Sequence, residues 1–216
     1  MINNIFEILW SVPAVLIAIT VHEYAHGFIA YYYGDPTAKL AGRLTLNPIA
    51  HLDPVGTLML IIFRIGWAKP VPINYGNLRN PKKDMIKVSL AGPLSNILVA
   101  ILFAIFYRLN NIFLQNILFN NLSHLPDLML TFIRGWIIFL QTGVLINLAL
   151  ALFNLLPIPP LDGQHILLGV LPSQWAKQYA KISHTYGMII LLVLIFTGFI
   201  GKVLFPIVFY IFRIFV

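Results

Sequence analysis

The stretch His22-Glu23-Tyr24-Ala25-His26 sets two imidazoles four residues apart, with a carboxylate next to the first. On a helix, residues i and i+4 share a face, so both rings can reach one metal ion. Zinc suits neutral imidazole ligands and lowers the pKa of a water to about 7, which makes hydroxide available at working pH. Glu23 stands where it can take the proton from that water. Five residues can match by chance, but the setting of these is informative. They lie in the run from Ile8 to Gly34, whose one formal charge is Glu23. An ionisable group at membrane depth is costly and is kept where it has a partner or a task. Hydrogen bonding to a neighbouring helix explains a lone histidine; it explains a triplet at metal spacing poorly.

Catalytic zinc usually has three protein ligands and one open position, so the pentad is a ligand short. The chain has no Cys, which removes thiolate sites and disulfides alike. The remaining acids are Glu7, Asp35, Asp53, Asp84, Asp127 and Asp162. Asp162 ends the stretch Asn154-Leu155-Leu156-Pro157-Ile158-Pro159-Pro160-Leu161-Asp162, just past an apolar run.

Composition identifies what must position these groups. Hydrophobic residues make up 59% of the 216, and charged ones only 10%, against about 25% in ordinary soluble domains. Val88 to Tyr107, Gly135 to Leu161 and Ile182 to Ile200 carry no Asp, Glu, Lys or Arg. Each has about the 20 apolar residues that a bilayer span needs. The expected fold is therefore an all-α polytopic membrane protein with about 4–6 transmembrane or re-entrant helices, forming one domain over 1–216. The first apolar run lacks a basic start and continues too far for a cleavable signal, so it reads as a retained span.

Eight of the fourteen Lys and Arg fall between Lys39 and Lys87, which places that connection in the cytoplasm by the positive-inside rule. The net charge of +7 is thus a matter of topology and lipid headgroups, with no nucleic-acid partner implied. Alternation then gives an external Asn-rich loop from Leu109 to Leu125 and a cytoplasmic segment from Pro157 to Lys181. Asp162 and His26 both come to the cytoplasmic ends of their spans. Leu52 to Ile65 is too short and too basic at both flanks to cross, and reads as re-entrant or surface-lying. Gly42 to Pro48 and Lys69 to Asn74 read as a small extended or β segment between the first and second clear spans.

HExxH in a first span, followed by NxxPxPxLDG in a later one, resembles the site-2 protease family of intramembrane zinc metalloproteases. Ala91-Gly92-Pro93-Leu94-Ser95-Asn96 is also similar to that family, and the likeness runs from Val21 to Gly163. With no room for an inserted PDZ or CBS domain, the chain resembles the minimal, core-only branch. The resemblance implies one zinc per chain held by His22, His26 and Asp162, with Glu23 as general base. It implies that Asn154 stabilises the oxyanion or orients substrate, against a plainer reading as a helix-to-helix hydrogen bond. Gly92, Pro93 and Asn96 are expected mainly to pack, with Asn96 a weaker candidate for a place in the site. The implied substrates are single-span membrane proteins, cut near the cytoplasmic side of a prokaryotic cell membrane.

Two other readings use the same residues. A non-hydrolytic membrane metal-binding or transport protein would need the His and Asp ligands but no base between them. A prenyl-protein type protease would take a Glu as third ligand, and none follows Glu23. His165 is a candidate neighbour of the site; His51, His124 and His184 have plainer readings as structural or loop residues.

Overall fold

The computed structural model describes residues 2–63, 66–121 and 126–216. Helix α1 (Ile2–Tyr32) is followed by the short α2 (Thr37–Leu40), a 3-10 turn (Pro48–His51) and α3 (Pro54–Phe63). A non-helical strap then leads through a second 3-10 turn (Tyr75–Asn77) into α4 (Pro81–Asn121). Helices α5 (Asp127–Asn154), α6 (Asp162–Val170), α7 (Ser173–Phe196) and α8 (Phe199–Phe215) complete the chain. Among the described residues, four helices are long and apolar enough to cross a membrane: α1, α4, α5 and α7. The chain is a multi-pass helical membrane protein.

Helices α1, α4 and α5 pack on one another and form the centre of the molecule. Their contact is lined by small residues, Ala14, Ala100 and Ala104, interleaved with Phe103, Leu140 and Val144, all buried. Lipid tails are as apolar as leucine, so helices associate in a bilayer by close packing, which small residues permit. Gly143 shows how close: a Cβ there would lie 2.3 Å from the Phe103 ring. The opposite faces of these helices expose large apolar side chains such as Leu9, Leu98 and Phe132, which acyl chains accept and water would not. Helix α8 returns after Gly198, whose φ of 71° breaks the helix, and buries Val208 in the same core.

Two expectations need correction. The external loop placed at Leu109 to Leu125 is helical as far as Asn121. No Gly or Pro interrupts 109–121, and asparagines on a helix surface do not by themselves end it, so α4 runs on for 41 residues. The small β segment is also absent: no sheet forms among the described residues, and one isolated antiparallel bridge joins Leu52 to Ala68. Asn74 has extended backbone, but Pro70 and Pro72 remove alternate backbone donors, and a ladder cannot continue past them. Turns built by side chains hold the Gly42 to Pro48 region, with Thr45 Oγ1 accepting from Asn47 N–H and Asn47 Oδ1 from Ile49 N–H. Helix α3 has ten residues and is not among the four described helices long and apolar enough to cross; residues 64–65, which end the expected Leu52 to Ile65 segment, lie outside the described residues.

Asp35 ties the strap to the end of α1. Its fully buried carboxylate accepts hydrogen bonds from the backbone of Asn74 at 2.7 Å and Thr37 at 3.1 Å. Asn77 Nδ2 at 2.9 Å and the Thr37 hydroxyl complete the set. Burial alone would raise the carboxyl's pKa, but these donors outweigh it and hold it below the usual carboxylate range. A depressed folded pKa adds stability above the unfolded value of about 3.9, and this is lost as pH falls through the folded value. Asp35→Asn puts an amide donor against one of these donors and should cost about 1–3 kcal/mol. Thermal unfolding in detergent should show a lower midpoint for the variant at pH 7, and a smaller drop than wild type on acidification.

Candidate metal centre

His22 and His26 sit one turn apart on α1, with ring centroids 4.6 Å apart and planes at 83°. Both are buried, at 5% and 6% exposure. Their Nε2 atoms are 3.0 Å apart, and Asp162 Oδ2 lies 3.3 Å from the first and 3.2 Å from the second. A tetrahedral zinc with bonds of about 2.0–2.1 Å separates its ligand atoms by roughly 3.3 Å. The three residues thus offer one ligand atom each to a common point.

Helix ends and turns deliver the third member. Helix α5 stops at Asn154, and tight turns through Leu156, Ile158 and Leu161 lead to Asp162, the first residue of α6. A carboxylate in a first helical turn is favoured by the helix dipole. Gly163 lets the turn close, because a Cβ there would lie 2.3 Å from the Leu156 carbonyl. Helix α6 packs on α4, which brings the carboxylate back across to α1.

Three features show that these residues fit a cation. First, His26 Nδ1 lies 2.8 Å from the Val88 carbonyl, which can only accept, so Nδ1 carries the proton and Nε2 a lone pair. Second, Asp162 Oδ2 is buried and has no hydrogen-bond partner. Short distances to two imidazole nitrogens without hydrogen-bond geometry mean facing lone pairs, an arrangement that a metal resolves. Third, Gly92 makes the room: a Cβ there would stand 2.3 Å from His26 Nε2 and 2.6 Å from His22 Cε1. The space that any other residue would fill is the space beside the ligand atoms.

Glu23 is half-buried beside this cluster, and its Oε2 accepts the Val71 N–H of the strap at 2.8 Å. Val71 is itself buried, its side chain set against Gly27 on the next turn of α1. Asn154 stands apart: its Nδ2 donates to the Leu150 carbonyl of its own helix at 3.0 Å. No hydrogen bond joins it to His22, Glu23, His26 or Asp162.

The sequence model of Peptidase family M50 matches residues 11–194. The chain belongs to this family, the site-2 proteases. The family's zinc chemistry accords with the His and carboxylate donors just described. A Bacillus subtilis protein named "Putative zinc metalloprotease YwhC" is 38% identical over 197 residues, covering 91% of this chain and 84% of that one. A Mycolicibacterium smegmatis protein named "Putative zinc metalloprotease Rip2" is 29% identical over 207 residues, with 91% and 70% covered. "Zinc metalloprotease MJ0392" of Methanocaldococcus jannaschii is 24% identical over 202 residues, with 92% and 45% covered. No solved structure matches the chain.

Other members of the site are less legible in this M50 sequence. Asn96, expected mainly to pack, is fully buried and places Oδ1 2.6 Å from His22 Nδ1. Asn147 stands behind it and is equally buried; an Asn in a charge-free span is itself a signal of interhelical bonding. His165 lies one turn beyond Asp162, and its ring packs 4.9 Å from Tyr75 of the strap. Burial pushes the His165 imidazole below its ordinary pKa, with the Asp162 carboxylate opposing. His51 is buried away from the cluster on the Thr45 carbonyl, at 2.8 Å; His184 is exposed on α7. His124 lies outside the described residues.

The Gly92 contact yields a direct test. Gly92→Ala should lower zinc occupancy sharply while leaving helix content intact, as read by metal analysis and circular dichroism of the purified protein. Undiminished zinc in the folded variant would mean that the imidazoles do not bind metal where they stand.

Proposed function

We propose that this M50 peptidase hydrolyses peptide bonds of membrane-spanning substrates within the bilayer, near its cytoplasmic side, with residues 1–216 acting as one domain. The observation that carries the reading is depth. His26 and His22 lie six and ten residues before the end of α1 at Tyr32, about 9 and 15 Å along the helix axis. The basic residues Lys39, Arg43 and Lys69 follow on that same side, which the positive-inside rule assigns to the cytoplasm.

In this reading His22, His26 and Asp162 hold one zinc. When bound, it supplies Lewis acidity to water and to the scissile carbonyl. The protein's own part is proton handling and orientation. Glu23 accepts the proton of the attacking water as the carbon–oxygen bond forms, then delivers it to the departing amine as the carbon–nitrogen bond breaks. The Val71 N–H holds one Glu23 oxygen and leaves the other for this exchange. Asn154 is proposed, from the family likeness, to donate its amide to the oxyanion, for which it must leave the Leu150 carbonyl. Supporting the choice of substrate is the exposed apolar surface, which opens the site's surroundings to lipid rather than water. Single-span membrane proteins of a prokaryotic cell membrane are the proposed class.

A hydrogen-bonded helix hides its carbonyls, so the substrate must be unwound where it is cut. The strap beside Glu23 is proposed to hold it through the Ile73 N–H, since the Val71 and Asn74 N–H groups are taken and Pro70 and Pro72 have none. Ile73→Pro should then weaken peptide binding, read as a raised KM, with zinc content unchanged. Equal loss of both would count against it.

Glu23→Gln decides between hydrolysis and metal carriage. The variant should keep one zinc and lose cleavage of single-span test proteins in detergent or liposomes by at least about 100-fold. Retained cleavage, or zinc lost with function kept, would remove the protease assignment of this residue.

A further inference from the structure

The buried amides behind His22 form a chain with only one consistent polarity. Asn147 Nδ2 is 2.7 Å from the Gly143 carbonyl of α5. Asn147 Oδ1 faces Asn96 Nδ2 at 2.8 Å. The second Asn96 Nδ2 proton points to the Ala18 carbonyl of α1 at 3.0 Å, and Asn96 Oδ1 faces His22 Nδ1 at 2.6 Å. The Gly143 and Ala18 carbonyls can only accept. Turning either amide over would set oxygen against oxygen at one of them, a costly clash where both asparagines are fully buried. Asn96 Oδ1 must therefore be an acceptor, and His22 Nδ1 must donate to it.

From this we infer that Asn96 and Asn147 are positioning residues that fix His22 with its proton on Nδ1 and its Nε2 lone pair aimed at the metal. The inference rests on the reading of His22 as a ligand. His26 obtains the same result from a backbone carbonyl, Val88, which no side-chain change can remove. His22 has no such carbonyl and relies on side chains from two other helices. Without them its Nε2 could hold the proton and donate to Asp162 Oδ2, 3.3 Å away, consuming the two atoms that should bind metal. The relay also locks α1, α4 and α5 together at the depth of the metal site. Outer partners of metal-ligating histidines typically contribute about 10–100-fold to metal affinity.

Two variants separate positioning from packing. Asn96→Ala removes the partner of His22. Asn147→Leu keeps the branched side-chain shape and never touches His22, but leaves Asn96 with an unpaired proton and one anchor, the Ala18 carbonyl, instead of two. Zinc affinity, measured by chelator competition, should fall about 10–100-fold in the first and by a smaller factor in the second. Nuclear magnetic resonance of metal-free protein, labelled at the histidine ring nitrogens and held at a pH where the imidazoles are neutral, gives the second readout. Wild type should show Nδ1–H at both His22 and His26; the variants should shift His22 toward Nε2–H and leave His26 unchanged. Nε2–H at His22 in wild type would overturn the relay even if neither variant folds. So would unchanged affinity and tautomer in folded variants. Failure of wild type to bind zinc at all would instead refute the ligand assignment, a distinct result.

Discussion

Three ligand atoms buried around one point are the constraint around which this molecule is arranged. Two imidazole nitrogens and a carboxylate oxygen, 3.0–3.3 Å apart, repel one another unless a cation lies between them. Removing them from water makes the repulsion worse, because a low dielectric screens it less. Each surrounding feature serves to hold that arrangement in place. Gly92 withholds a side chain to make room, Val88 and Asn96 hold the far sides of the rings, and α6 starts where its first residue can face α1.

The strap adds the opposite wall. Asp35, buried at the end of α1, gathers the turn at Thr37 and the strap at Asn74 and Asn77. This sets the level at which Val71 meets Glu23. A carboxylate paired with one backbone N–H keeps its other oxygen for proton exchange, and the pairing restricts its rotation. Glu23 is thus oriented by a segment with no regular secondary structure, held at one end by a second acid, Asp35, whose own partners are Thr37, Asn74 and Asn77.

Helix packing explains why the site can exist in lipid at all. Buried polar groups are costly in hydrocarbon, and His22, Asn96 and Asn147 find their partners across helix interfaces. The close approach of α1, α4 and α5 depends on alanine and glycine at the contact. Those positions decide whether Asn96 and Asn147 can reach across to α1 and to one another. The exposed apolar faces outside this centre carry no such demand and vary in shape and size from residue to residue.

The linear order of residues determined the membrane class, the helical architecture, the HExxH face and the value of Asp162 as a partner. These follow from local rules: apolar run length, the period of the helix and the scarcity of acids. The absence of a strand at 69–74 was not legible, because pairing depends on what lies beside a segment. The continuation of α4 through its asparagines was misread, since composition suggested a loop where nothing breaks the helix. Only the tertiary structure decided that Asn96 and Asn147 stand behind His22 while Asn154 turns to its own helix. All three are neutral amides in apolar runs, and their sequence neighbourhoods do not separate them. What separates them is which face each presents to a neighbouring helix, a consequence of packing that no local pattern encodes.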